Sequence, residues 1–104
     1  LTVPSAFTVP TGEAHWNVLL RARAIENGAF VLAPAQWGAH AATRGAARRT
    51  YGHSLAVGPW GEVLAEAEDG TGASIVDLDL DAVSRARAAI PSLRHDRPIS
   101  APKV

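Results

Sequence analysis

The hydrophobic pattern of the chain is strongest between residues 11 and 33. Its first part has the 3.6-residue period of an amphipathic helix. The apolar residues of that period are Trp16, Val18, Leu19, Leu20 and Ala22. Thr11 is predicted to cap this helix, and Gly28 to end it in the left-handed conformation. The continuous apolar run at residues 29–33 predicts a strand covered on both faces.

The segment Leu1–Phe7 has the composition of a short strand, with Pro4 near its end or at a sheet edge. A loop, Thr8–Pro10, then leads into the helix. Open α/β sheets place ligands where a strand ends in a loop that enters a helix. This first strand–loop junction is therefore the first candidate for a binding site.

Residues 39–49 show no persistent period and are predicted to form a surface loop. The segment contains one histidine and three arginines, namely His40, Arg44, Arg48 and Arg49. Such a group could bind a carboxylate or a phosphate. The alternative is an ordinary solvated loop, and the lack of a pattern favours that alternative.

Two strands, residues 50–58 and 62–67, are predicted to form a hairpin, because Pro59 suits the second position of a turn and Gly61 its last. The second strand should have one wet face. Residues 74–80 alternate between apolar and acidic side chains, which predicts a further strand.

A final helix is predicted over residues 82–90, capped by Asp81 and ended by Pro91. Val83, Ala86 and Ile90 should form its buried side. The order strand, helix, strand, hairpin, strand, helix predicts a single α/β layer pair. It provides too few helices to cover both faces of a sheet.

Composition narrows the function classes. The formal net charge is +0, which gives no electrostatic basis for binding nucleic acid or an anionic membrane. Bilayer-spanning runs and a signal peptide are lacking, so a cytoplasmic location is expected. The chain has no methionine and opens inside a strand-like segment, which favours a fragment cut within a domain.

The sequence supports neither a metal site nor the active site of a serine hydrolase. The four histidines (His15, His40, His53 and His95) lack helical pairing, and there is no cysteine, so neither a zinc site nor another cofactor is expected. His15 should pack near the helix start. Ser54 lies in GHSLA, where the second glycine of a nucleophile elbow is replaced by Ala56, which argues against a serine hydrolase.

Four stretches carry a family resemblance: PSAF at 4–7, TGEAHWNVLLRARAIENGAFV at 11–31, YGHSLAVGPWGEVLAEA at 51–67, and RAAIPSLRHDRP at 87–98. Together and in this order they resemble the C-terminal part of the nitrilase superfamily, the carbon–nitrogen hydrolases. The most similar branch contains deaminated glutathione amidase and ω-amidase.

The resemblance implies a layered fold, the C-terminal part of an α-β-β-α sandwich, incomplete in this chain. Residues 1–98 would belong to the hydrolase domain, and residues 99–104 would be a tail. Members of the family hydrolyse a nonpeptide amide with a cysteine nucleophile, a glutamate base and a lysine that stabilises the oxyanion. All three positions would lie upstream of Leu1, and Lys103 matches none of them. The chain alone is therefore predicted to be inactive.

The resemblance also carries over one wall of the substrate pocket, formed by Ser5, Ala6, Phe7 and Thr8. The small residues would leave room for a substrate, and Phe7 would provide an apolar surface. The implied partners are a small-molecule amide and further copies of the chain, as a homodimer or higher homo-oligomer. The alternative function is a non-catalytic scaffold or dimerisation module derived from the same fold.

Overall fold

The computed structural model describes residues 1–42 and 44–100. The helical elements are α1 (Val9–Thr11), a π-helical turn (Gly12–Trp16), α2 (Asn17–Asn27), α3 (Asp81–Ala89) and a 3₁₀ turn (Ser92–Arg94). The strands are β1 (Val31–Ala33), β2 (Trp37–His40), β3 (Arg48–Tyr51), β4 (Leu55–Val57) and β5 (Val63–Glu66).

The first helical segment ends where the sequence predicts but begins earlier. Gly28 has φ 51° and ψ 51°, and its N–H reaches the carbonyls of Ala24 and Ile25, which confirms the left-handed stop. The predicted start at Thr11 is wrong, because helical structure begins at Val9 with Thr8 as the preceding extended residue. Pro10 explains the difference, since a proline in the first turn needs no hydrogen-bond acceptor for an N–H.

The main sheet has the strand order β1-β4-β5, and both pairs are antiparallel. The predicted strand Leu1–Phe7 is present only as extended chain. It runs parallel to β1 through isolated bridges, which pair Thr2 with Leu32 and Ser5 with Ala35. Val3 and Ser5 both donate their N–H groups to this partner, so the nitrogen of Pro4 faces away from it. The ladder is interrupted at Pro34, which follows Leu32 in the alternation of donors and has no N–H to give to the Val3 carbonyl.

The predicted surface loop at 39–49 is wrong at both ends. β2 and β3 form a two-stranded antiparallel ribbon in which His40 pairs with Arg48 and Gly38 with Thr50. Thr50 is buried, with 4% of its surface exposed. The ribbon forms through backbone pairing rather than through an apolar pattern, so periodicity does not reveal it. Residue 43, inside the predicted loop, lies outside the described residues.

The predicted hairpin is confirmed in its turn and corrected in its first arm. The N–H of Gly61 bonds to the carbonyl of Gly58 at 2.9 Å, with Pro59 at the second position of the turn. The first arm begins at Leu55 and not at Thr50, because Gly52 (φ 76°) and His53 (φ 57°) interrupt the extended backbone. On the expected wet face of β5, Leu64 and Glu66 are exposed, as is Glu62 just before the strand, but Val63 on the other face is exposed as well.

The predicted strand at 74–80 does not form. None of the described strands pairs with it, and Ile75 is 95% exposed. α3 follows, preceded by Leu80, and the carboxylate of Asp79 accepts the N–H of Asp81 at 3.1 Å. A strand forms only where a neighbouring strand accepts and donates its backbone hydrogen bonds. The alternating apolar and acidic side chains of 74–80 do not provide such a neighbour.

The buried side of α3 is smaller than predicted. Ala86 is buried and Val83 is half-buried, but Ile90 is 54% exposed. After the 3₁₀ turn, residues 95–100 have no regular structure. The predicted tail 99–104 lies outside the described residues from 101 onward.

The core lies between α2 with its preceding turn and the sheet. Its buried members are Trp16, Leu20, Ala24, Val31, Ala33, Leu55 and Val57. Phe7 and Tyr51 pack against them from the side. The helical layer of α2 packs on the sheet β1-β4-β5, which corresponds to the predicted α/β layer pair.

Candidate functional site

The link between β1 and β2, together with β3, holds the predicted pocket wall in place. Ser5 donates its N–H to the carbonyl of Pro34 and accepts the N–H of Gln36, each at 3.0 Å. The carbonyl of Ala6 accepts a 2.8 Å hydrogen bond from the guanidinium of Arg48. Ser5 and Ala6 are half-buried, so part of each side chain faces solvent.

Phe7 and Thr8 join this wall to the helix and the ribbon. The Phe7 ring meets the Trp16 ring edge-on, with centroids 5.1 Å apart, and its carbonyl accepts the N–H of Tyr51 at 2.9 Å. The hydroxyls of Thr8 and Thr11 lie 2.8 Å apart, and Thr11 also donates to the Thr8 carbonyl. The four residues thus form one restrained segment, and substrate binding by them stays a prediction.

A second cluster of functional groups was missed by the sequence analysis. A groove of about 590 Å³ lies between the ribbon and the loop after β5. Polar and aromatic side chains line it, among them Trp37, His40, His53, Glu66, Asp69 and Ser74. The residues come from three separate segments of the chain, so no local motif could have indicated the cluster.

His53 is the centre of this cluster. Its Nδ1 lies 3.0 Å from a carboxylate oxygen of Glu66, and its Nε2 lies 3.7 Å from one of Asp69. Its ring stacks on Tyr51, with centroids 4.1 Å apart. Its backbone carbonyl accepts the indole N–H of Trp16 at 2.7 Å. The left-handed backbone at His53 is thus supported by contacts from three elements.

The surroundings of the cluster change the pKa of Tyr51. Burial raises the pKa of its phenol above the usual value, and the carboxylates of Glu66, Glu13 and Asp69 add to the increase. A phenol with a raised pKa stays neutral across the physiological range. The contact that the structure gives the Tyr51 ring in this cluster is its stacking on His53.

Other candidate residues have structural roles. The hydroxyl of Ser54 accepts the N–H of Ala35 at 2.9 Å and lies 3.5 Å from its carbonyl. The His40 ring contacts the Thr50 hydroxyl at 2.7 Å. His15 is exposed, so its predicted packing near the helix start is wrong. Within residues 1–42 and 44–100 no three histidine or acidic side chains are arranged to hold a metal ion.

Across the part of the chain that the structure describes, every helix is too short or too polar to cross a bilayer.

Comparison with known proteins gives consistent results. The family profile described as carbon–nitrogen hydrolase matches residues 2–88. The deaminated glutathione amidase of Synechocystis is 46% identical over 95 residues, which cover 91% of this chain and 34% of that protein. The deaminated glutathione amidase of Mus musculus is 48% identical over 98 residues, 94% of this chain and 29% of that protein.

Solved structures give the same result for the fold. The NitFhit protein of C. elegans matches with a TM-score of 0.74 and 44% identity, over 92% of this chain and 23% of that one. The carbon–nitrogen hydrolase of Helicobacter pylori matches with a TM-score of 0.79 and 27% identity, over 90% of this chain and 36% of that one. The chain spans about a third of the length of the curated relatives. With the profile covering most of its residues, the chain belongs to the carbon–nitrogen hydrolase family.

Proposed function

We propose that this chain is the C-terminal part of an amidase of the carbon–nitrogen hydrolase family, which cleaves a small nonpeptide amide. The observation that carries the proposal is the identity of 46–48% to deaminated glutathione amidases over more than nine-tenths of the chain. Such an identity over a continuous stretch supports a shared chemistry as well as a shared fold. The substrate class would be the terminal amide of an ω-amido 2-oxo acid or of a deaminated glutathione-like compound.

The proposed chemistry uses three residues that this chain does not contain. A cysteine thiolate would attack the amide carbonyl, ammonia or an amine would leave, and water would then hydrolyse the thioester. A glutamate would move the protons, and a lysine would stabilise the oxyanion. The chain has no cysteine, so the catalytic cysteine would be supplied from outside residues 1–104.

This chain would contribute one wall of the substrate pocket. The complete domain would be an α-β-β-α sandwich, in which helices cover two facing sheets. The restrained segment Ser5–Thr8 suits that task, because its backbone bonds to Pro34 and Gln36 on one side and to Tyr51 of β3 on the other. The ring of Phe7 would limit the size of the substrate. In this proposal the segment positions a substrate and takes no part in proton transfer.

The test is an assay of the polypeptide encoded by the complete open reading frame against a panel of amides and carbamoyl compounds, with ammonia release as the readout. We expect turnover of a small amide, and its loss when the upstream cysteine is replaced by alanine. Residues 1–104 alone should release no ammonia. Phe7→Ala should change KM more than kcat, because the residue would bind and not react. A reading frame without an upstream cysteine, glutamate and lysine would refute the proposal.

A second candidate is a non-catalytic scaffold or dimerisation module. The observation in its favour is that these residues build a core of their own, centred on Trp16, Val31 and Val57. A reading frame that starts near Leu1 would support the module. Dye binding gives a further distinction, since an incomplete domain should bind a hydrophobic dye and a self-sufficient module should not.

A further inference from the structure

Two neighbouring arginines of β3 lie on opposite faces of the β2–β3 ribbon, because successive side chains of a strand alternate between its faces. Arg48 pairs with His40 across the ribbon, and Arg49 pairs with Ala39. Both arginines are exposed. The fold thus separates the basic residues of segment 39–49, and these two positive charges have different surroundings.

Arg48 reaches the predicted pocket wall. Its Nη2 donates a 2.8 Å hydrogen bond to the carbonyl of Ala6, which lies 42 residues earlier in the chain. The N–H of Tyr51, in the same strand, bonds to the carbonyl of Phe7 at 2.9 Å. Two successive carbonyls of the wall are therefore held by β3, one through its backbone and one through a side chain. The guanidinium lies at the middle of the segment Ser5–Thr8.

The hydrogen bond to Ala6 leaves the positive charge of Arg48 uncompensated, because a backbone carbonyl is neutral. Among the residues that the structure describes, Arg48 takes part in none of the ion pairs, which join Arg23 to Glu26, Arg85 to Asp79, and His53 to Glu66 and Asp69. A guanidinium carries its N–H groups in a planar fork that matches the two oxygens of a carboxylate. Arg48 thus places an anion-binding group at the wall.

We propose that Arg48 binds a carboxylate at the end of the substrate remote from the amide that is cleaved, so that the enzyme prefers amides that also carry an acid group. The inference rests on the proposed amide hydrolysis and names the specificity of the same pocket. Both proposed substrate types, an ω-amido 2-oxo acid and a deaminated glutathione-like compound, carry a carboxylate besides the amide. The formal net charge of +0 provides no general attraction for an acid, so the preference depends on a locally placed cation.

The charges of the two substrate ends assign different tasks to different cations. The amide is neutral, and the oxyanion that forms from it belongs to the proposed upstream lysine. The carboxylate is charged throughout the reaction, so a cation that binds it contributes equally in the ground state and in the transition state. Arg48 is therefore a binding residue, and its removal should act on KM more than on kcat.

A purely structural role of Arg48 is the alternative. The guanidinium would then only connect the ribbon to the Ala6 carbonyl. Its loss would displace the wall and impair every substrate to the same extent, whereas the loss of carboxylate binding impairs only acids. Two substrates that differ only in charge separate the two roles.

The test measures ammonia release by the polypeptide encoded by the complete open reading frame, with an ω-amido 2-oxo acid and its methyl ester as substrates. In Arg48→Gln we expect kcat/KM for the acid to fall by about fivefold to tenfold, mainly through KM, because an exposed charge-assisted bond is lost. The value for the ester should change by less than about twofold. Arg49→Gln is the matched control, since it removes the same charge from the opposite face of the ribbon, and it should leave both values unchanged.

Arg48→Lys adds a second variant. Lysine keeps the charge and loses the planar fork, so the acid-to-ester ratio of kcat/KM should lie between those of the unmodified protein and Arg48→Gln. An unchanged ratio in Arg48→Lys would contradict bidentate recognition, even where Arg48→Gln does not fold.

Equal losses for acid and ester in Arg48→Gln would overturn the inference and assign Arg48 a structural role. An unmodified protein that hydrolyses the ester as readily as the acid would also overturn it, as would an equal effect of Arg48→Gln and Arg49→Gln on the acid. Amide hydrolysis persists in each of these cases, so the proposed function stands. Absence of ammonia release from every amide of the panel would instead refute the proposed function, and the inference with it.

Discussion

The indole N–H of Trp16 donates a 2.7 Å hydrogen bond to the backbone carbonyl of His53. The bond connects the end of the π-helical turn to the residue at which the chain passes from β3 to β4. His53 has φ 57°, a conformation that costs free energy for a residue with a Cβ atom. A buried side chain thus stabilises an unfavourable backbone conformation beside the His53–Glu66 pair.

Trp16→Phe tests this connection. Phenylalanine keeps an aromatic ring in the core but cannot donate, so the His53 carbonyl loses its partner. We expect the free energy of unfolding to fall by about 1–3 kcal/mol, measured by urea denaturation. Trp60→Phe, at an exposed position, is the control and should change it by less than about 0.5 kcal/mol. Equal stability of the two variants would contradict the role assigned to the indole N–H.

Gly28→Ala tests the stop of α2. At φ 51° a Cβ atom is strained, and it would also lie 2.9 Å from the side chain of Arg87. We expect a loss of about 1–2 kcal/mol in the free energy of unfolding. Gly72→Ala is the matched control, because its φ is outside the left-handed region and no neighbouring atom lies within 4 Å. Thermal unfolding that shifts equally in both variants would exclude a specific role for Gly28.

The titration of Tyr51 can be observed directly, since it is the only tyrosine of the chain. Burial and the neighbouring carboxylates raise its pKa in the folded state, so folding favours the protonated phenol. The resulting stabilisation is complete below the unfolded pKa, which is about 10, and is lost as the pH rises through the folded value. Phenolate absorbance should therefore develop at higher pH in the folded chain than in urea.

Glu66→Gln should lower the pKa of Tyr51 part of the way back, because burial is the larger cause and remains. Glu68→Gln, two residues further along, is a suitable control. A folded titration curve that coincides with the unfolded one would show that Tyr51 lies in an ordinary solvent environment.

The ion pair between Asp79 and Arg85 at the start of α3 predicts how stability changes at acidic pH. The Asp79 carboxylate contacts the Arg85 guanidinium at 2.6 Å, and this hydrogen bond is the main cause that lowers its pKa. The stabilisation is present above the unfolded carboxyl pKa of about 3.9 and is lost as the pH falls through the lowered folded value.

Carboxyl carbon NMR can measure this shift. Arg85→Ala should return the pKa of Asp79 towards its usual value, since the hydrogen bond and the charge are both removed. Arg87→Ala, on the same helix, is the matched control, because Arg87 bonds instead to the carbonyls of Asn27 and Gly28. An unchanged Asp79 titration in Arg85→Ala would contradict the assignment.

Local features were predictable where they depend on neighbours in sequence. The Gly28 stop and the Pro59–Gly61 turn follow from steric limits on φ, and both are observed. The pairing of β2 with β3 was missed, and the strand at 74–80 was predicted but does not form. Strand formation depends on a partner edge that local alternation does not reveal. The same limit applies to the candidate site, because His53 meets Glu66 and Asp69 only after the chain has folded.

The amino-acid sequence by itself determined the amphipathic helix before Gly28, the turn after Gly58 and the motifs typical of carbon–nitrogen hydrolases. These features depend on short-range sterics and on residue identity at fixed spacing. Only the tertiary structure decided that the segment Ser5–Thr8 is held between the link from β1 to β2 and the strand β3, and that Trp16 supports His53. These contacts join residues far apart in the chain, and their hydrogen bonds and packing exist only when the sheet and helix have come together.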